Sequence, residues 1–75
     1  LKSGIQALQI EDVWEKIMGK TIAKYTDKIT IINQVLYIQS QVAPLKNELM
    51  YQKAKIIERV NEELGEAAIK DVVIK

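Results

Sequence analysis

Apolar residues recur every three or four positions over the first third of the chain, the spacing of a helix with one buried face. The apolar positions are Ile10, Val13, Trp14, Ile17, Met18, Ile22 and Tyr25. This spacing predicts a helix over residues 10–25. Gly19 lies inside it, where a glycine either permits close approach of a neighbouring element or marks a break. Residues 1–9 form a separate N-terminal segment, which we interpret as the tail of an earlier helix interrupted near Ser3 and Gly4.

Two short runs of β-branched and apolar residues follow, at 28–32 and 35–40. Asn33 and Gln34 separate them at the length of a two-residue hairpin turn. The turn predicts the pairs Ile32 with Val35, Ile31 with Leu36, Thr30 with Tyr37, and Ile29 with Ile38. One face of the hairpin then points to the core. The outward residues are Thr30, Ile32, Val35, Tyr37 and Gln39.

After the hairpin, the apolar spacing returns to that of a helix. Its apolar positions are Leu45, Leu49, Ile56, Val60 and Leu64. Ser40 is the expected N-cap, Pro44 fits the first turn, and Gly65 ends the helix, so we predict one long helix. Residues 48–55 are polar enough for a bend, but no Gly or Pro interrupts them. Residues 68–74 are typical of a short strand, parallel to the second hairpin strand. The predicted order is α-β-β-α-β, a single α+β domain over residues 10–75 with a small three-stranded sheet and helices on one face.

Several short motifs together resemble a bacterial family. They are Trp14, Ile17-Met18-Gly19, Ile22-Ala23-Lys24-Tyr25-Thr26, Val35-Leu36-Tyr37-Ile38, Glu48-Leu49, Asn61 and Leu64-Gly65. The pattern resembles the DciA-like family, also catalogued as domain of unknown function 721. The resemblance implies a replication protein that helps to place the replicative helicase on DNA, and a fold similar to a type II KH domain. KH domains clamp nucleic acid with a GXXG loop between two helices, but no glycine occurs between Lys20 and Leu64, so that loop is missing.

Composition narrows the chemistry that the chain can perform. Its 75 residues are 48% hydrophobic and 28% charged, as expected of one small globular domain. It contains no Cys and no His, which excludes disulfides, thiolate or imidazole metal sites, and Cys- or His-based catalysis. We therefore predict no enzymatic activity, no cofactor and no metal. No apolar run is long enough for a membrane span or a signal peptide, so we expect a cytoplasmic protein. The start at Leu1 suggests a piece of a longer protein.

The net charge of +1, from 11 basic and 10 acidic residues, does not by itself indicate which partners the chain binds. Lys16, Lys20 and Lys24 are spaced four apart and share one face of the predicted helix, with Lys28 just beyond its end. Such a row can follow the phosphates of single-stranded DNA or RNA, although a solvated helix face has the same pattern. Tyr37 faces outward from the hairpin, where an aromatic ring can stack on a base or contact a partner.

The outward apolar residues Ile32, Val35 and Tyr37 predict a protein-binding patch. Its occupant is a partner protein, a second copy of the chain, or the missing part of a longer protein, unless a second strand layer or the N-terminal residues cover it. Trp14 lies on the apolar stripe of the helix, and we assign it to the core.

The favoured function is a noncatalytic adaptor in replicative helicase loading, with weak binding of single-stranded DNA. Its expected partners are the replicative helicase and single-stranded DNA or RNA, with no membrane. Two alternatives stay open, an RNA-binding KH-like module and a structural homodimerisation domain.

Overall fold

The computed structural model describes the backbone from Lys2 to Lys75 and the side chains from Ile10 onward. The elements in chain order are α1 (Lys2–Met18), α2 (Lys20–Lys24), β1 (Lys28–Ile32), β2 (Val35–Gln39), α3 (Ala43–Tyr51), α4 (Lys53–Leu64) and β3 (Asp71–Ile74). The α+β class and the order of elements along the chain are broadly those predicted, but each of the two predicted helices is divided in two.

The three strands form one sheet in the order β1-β2-β3. β1 and β2 are antiparallel, and their register is the predicted one, from Ile32 opposite Val35 to Ile29 opposite Ile38. Asn33 and Gln34 both have positive φ, 51° and 65°, as a two-residue type I′ turn requires. β3 is parallel to β2, which confirms that prediction. The hairpin register therefore follows from the sequence alone.

The core lies between the helices and one face of the sheet. Its buried residues are Ile10, Val13, Trp14, Leu36, Ile38, Leu49, Ile56, Val60, Ile69 and Val72. Trp14 is only 1% exposed, so its assignment to the core is confirmed. Burial of each large apolar side chain in this cluster contributes roughly 1.5–3 kcal/mol relative to leaving it in water. We call the sheet face that points into this cluster the inner face.

The helix predicted over residues 10–25 is not continuous. α1 begins at Lys2 and shows no interruption at Ser3 or Gly4, and it ends at Met18. Gly19 has φ 92° and ψ 163°, a conformation that is available essentially to glycine alone. Residues beyond Gly19 begin a new short helix, α2, so the glycine acts as a break.

The predicted long helix is also wrong, because it breaks at Gln52. The Gln52 backbone, at φ −105° and ψ 14°, leaves the helical region. Its N–H donates to the carbonyl of Leu49 at 3.1 Å, while its own carbonyl accepts from the N–H of Ile56 at 2.8 Å. One residue thus joins α3 to α4. Because Leu49 and Ile56 both reach the core, the apolar spacing of the sequence shows no trace of the break.

Ser40 does not cap a helix, contrary to the prediction. The residue before α3 is Val42, which makes no side-chain capping bond. The Ser40 hydroxyl instead donates to the carbonyl of Tyr25 at 2.7 Å and accepts from the N–H of Val42 at 3.2 Å. Ser40 is buried, so it fastens the end of α2 to the end of β2.

Polar side chains of α4 also contact its neighbours. The Asn61 amide donates to the carbonyl of Ile69 and accepts from the Ile69 N–H, both at 2.9 Å. This pair of bonds brings the chain back toward the sheet just before β3. Lys16 of α1 forms an ion pair with Glu63 of α4 at 3.0 Å.

Candidate nucleic-acid and partner interface

The sheet face opposite the core, which we call the outer face, is open in the part of the chain whose side chains the structure describes. Pairing across the three strands aligns Thr30, Tyr37 and Val73 in one row. Alternation along the strands then places a wider set on the same side. The outer-face residues are Lys28, Thr30, Ile32, Val35, Tyr37, Gln39, Asp71, Val73 and Lys75. Ile32 is 53% exposed, and Tyr37 is half-buried by its neighbours.

A shallow groove of about 230 Å³ crosses this face. The side chains that define it are Lys28, Thr30, Ile32, Tyr37, Gln39 and Lys75. The Lys75 Nζ lies 5.7 Å from the centroid of the Tyr37 ring, within the range of a cation–π contact. The groove therefore combines one aromatic ring with two ammonium groups. That combination can stack a base and neutralise the neighbouring phosphates.

The structure brings together only part of the predicted nucleic-acid site. Lys28 and Tyr37 both line the groove. Lys16, by contrast, lies on α1 in the ion pair with Glu63, whereas Lys20 and Lys24 lie beyond the Gly19 break on α2. The prediction that Lys16, Lys20 and Lys24 share one helical face is therefore wrong. That any of these lysines binds nucleic acid stays a prediction.

Sequence reasoning missed Lys75. This residue follows β3, whose pairing with β2 continues beyond Ile74, since the Lys75 N–H donates to the carbonyl of Ile38 at 2.8 Å. The parallel direction of β3 was predictable, but its register was not. Without the register, no sequence pattern placed Lys75 next to Tyr37.

A comparison with known protein families identifies the family of this chain. The family model described as Dna[CI] antecedent, DciA matches residues 1–74. The chain belongs to the DciA family. This is a family of replicative helicase loaders, so the resemblance drawn from Trp14, Asn61 and the hairpin motif is confirmed. The chain matches no curated protein and no solved structure.

DciA membership gives the chain a helicase-loading role and suggests a replicative helicase as its partner. The likeness to type II KH domains stays a prediction. KH domains carry a GXXG loop between two helices, and α3 and α4 meet at Gln52. There is no glycine at this joint, and the Gln52 N–H is occupied by the carbonyl of Leu49. A phosphate clamp built from a glycine loop is therefore not formed at this joint.

The apolar patch predicted for a protein partner does assemble in this DciA-family chain. Ile32 and Val35 are paired across the hairpin, and Tyr37 follows two residues later on the same face. The patch thus overlaps the groove and shares Ile32 and Tyr37 with it. A protein contact at this patch stays a prediction.

Two further findings concern the described residues of the DciA-family chain. No group of three acidic side chains among them could hold a metal ion. None of their helices has the length and apolar character needed to cross a membrane.

Proposed function

We propose that this DciA-family chain is a noncatalytic adaptor that assists helicase loading while holding single-stranded DNA on the outer face of its sheet. Family membership supports the helicase-loading part. The observation that supports the DNA part is the position of Tyr37 in the groove, flanked by Lys28 and Lys75. An aromatic ring on an open sheet face, with cations beside it, is a recurrent way of binding single strands.

The expected chemistry is independent of base sequence. Stacking of one base on the Tyr37 ring contributes about 1–3 kcal/mol. Lys28 and Lys75 each neutralise one phosphate, and two such contacts give a salt dependence with a slope of roughly −1.4 in log affinity against log salt. Both terms are small. Binding is therefore weak, as suits an adaptor that must release the strand to the helicase.

Lys20 and Lys24 extend this proposal along α2. The Ser40 hydroxyl ties the carbonyl of Tyr25, next to Lys24, to the end of β2 at 2.7 Å. The groove includes Gln39, the residue before Ser40. Lys24 therefore begins close to the groove in the fold, and its exposed side chain adds a further phosphate contact.

The test is a titration of fluorescent oligo-dT with the full chain at several salt concentrations. Tyr37→Ala should weaken binding about 5- to 150-fold, the equivalent of the lost stacking. The double variant Lys28→Glu, Lys75→Glu should bind more weakly still and lose most of the salt dependence. Lys70→Glu is the matched control, because Lys70 is exposed at the opposite end of β3 and does not line the groove.

Unchanged affinity and salt slope in the double variant would reject the groove as the DNA site. The same titration with oligo-U of equal length examines the RNA alternative. A clear preference for RNA would favour an RNA-binding module over the adaptor proposed here.

A further inference from the structure

The joint between α3 and α4 exposes two large apolar side chains that have no role in the core. Tyr51 is 88% exposed and Met50 is 52% exposed. They are the last two residues of α3 and precede the break at Gln52. We call residues 50–55 the elbow. Adjacent exposed apolar side chains of this size are typical of protein interfaces, in which Met and Tyr are enriched.

The elbow also carries positive charge that its own fold does not neutralise. The first turn of α4 contains Lys53 and Lys55, no acidic residue, and no side-chain cap on its amide groups. A helix N-terminus favours negative charge, so two lysines there leave an unfavourable positive field. The nearby Glu48 carboxylate accepts a hydrogen bond from the side-chain amide of Gln52 at 2.8 Å. Among the described residues, neither elbow lysine takes part in an ion pair.

These two features together fit a partner surface that is acidic and partly apolar. An acidic side chain would pair with Lys53 or Lys55 at the start of α4, while Met50 and Tyr51 enter an apolar recess. The thioether of Met50 adapts readily to such a recess.

The position of the elbow separates it from the proposed DNA groove. Leu49 of α3 and Ile56 of α4 are both in the core that covers the inner face. The elbow therefore lies on the helical side of the sheet, whereas Tyr37 and the groove lie on the outer face. A loader that holds a strand and a helicase together needs two such separate surfaces.

We infer that the elbow docks an acidic, partly apolar surface of the replicative helicase. This inference rests on the proposed function, in which the helicase is the protein partner and the outer face holds the DNA. The elbow shares no residue with the outward apolar patch, so the inference assigns the helicase to a different surface of the chain.

The experiment measures binding of the full chain to the purified replicative helicase, alongside its binding to oligo-dT. Two double variants are needed, Met50→Ser with Tyr51→Ala, and Lys53→Glu with Lys55→Glu. Each should weaken helicase binding at least tenfold and leave oligo-dT binding within twofold of the wild type. The loss caused by the lysine changes should shrink as salt is raised, because salt screens exposed charges.

Matched controls are Lys70→Glu for charge and Tyr25→Ala for exposed apolar surface, since Tyr25 is 48% exposed, and both should bind the helicase as the wild type does. Ile32→Ser tests the outward apolar patch as the rival docking surface. Fluorescence of the buried Trp14 verifies that each variant is folded. Elbow variants that bind the helicase within twofold of the wild type would overturn the inference, as would a loss confined to Ile32→Ser. Weaker oligo-dT binding by the elbow variants would overturn it too, because the elbow would then be a nucleic-acid surface. Failure of the wild-type chain to bind the helicase is a different result, which rejects the proposed function as well.

Discussion

At the scale of single residues, Trp14 shows how a buried polar atom is satisfied in so small a core. Its indole N–H donates to the Thr26 hydroxyl at 2.9 Å, and that hydroxyl donates to the carbonyl of Ile22 at 2.8 Å. Thr26 therefore links α1 to the end of α2 through its side chain. The sequence pattern placed Trp14 in the core but gave no sign of this link, because hydrogen-bond partners far apart in the chain leave no periodic signal.

Replacing Thr26 by Val should destabilise the protein by about 1–3 kcal/mol, because the buried Trp14 donor loses its acceptor. In a chain of this size, each kcal/mol lowers Tm by roughly 4–8 °C. Thr26→Ser is the control, since it keeps the hydroxyl. Urea unfolding followed by fluorescence of Trp14, the one tryptophan of the chain, measures the difference. Equal stability of the Val and Ser variants would show that the hydrogen bond contributes nothing.

At the scale of elements, the hairpin was predictable in full and the helix breaks only in part, because a break was one of two roles open to Gly19 and the polar stretch 48–55 indicated a bend, not a new helix. A period of two and a turn of fixed length together determine the partner of each strand residue. The break at Gln52 involves neither glycine nor proline. The seven-residue step from Leu49 to Ile56 matches two turns of an unbroken helix, so the sequence pattern is the same for one helix as for two. Only the packing of both halves against the sheet distinguishes the two cases.

Replacing Gly19 by Ala should change the stability of the protein in a direction that depends on whether α1 and α2 form one helix. In the interior of a continuous helix, replacing Gly by Ala would stabilise the protein by up to about 1 kcal/mol. At φ 92° the same change should destabilise it by roughly 1–3 kcal/mol. An added Cβ would meet no atom of a neighbouring element within 4 Å, so the cost arises from the local backbone conformation and not from crowding by the rest of the fold.

Thermal unfolding of Gly19→Ala shows whether the substitution lowers or raises Tm. Thr21→Ala is the matched control, because Thr21 is exposed within α2 and alanine has the higher helix propensity there. The control should leave Tm unchanged or raise it slightly. A higher Tm for Gly19→Ala would mean that α1 and α2 form one helix.

At the scale of the whole molecule, a net charge of +1 conceals a separation of charge. Lys28 and Lys75 lie at one end of the outer face, and Asp71 lies at the other. The elbow lysines form a second basic surface on the helical side. The sequence contains all of these charges, yet their grouping depends on the register of β3 and on the break at Gln52. Composition alone therefore conceals two separate basic surfaces.

The two proposed surfaces predict that DNA and helicase bind the chain together. Because the groove and the elbow lie on opposite sides of the sheet, saturation with oligo-dT should change helicase affinity by less than about threefold, well below the 5- to 150-fold effects of typical coupled sites. Sedimentation of helicase, chain and fluorescent oligonucleotide should show one complex that contains all three. Tyr37→Ala should remove the oligonucleotide from that complex and leave the chain bound to the helicase. Met50→Ser with Tyr51→Ala should release the chain from the helicase, and the released chain should still bind the oligonucleotide. Strict competition between oligo-dT and helicase for the wild-type chain would mean that both ligands use one surface, and the two-sided adaptor would be wrong.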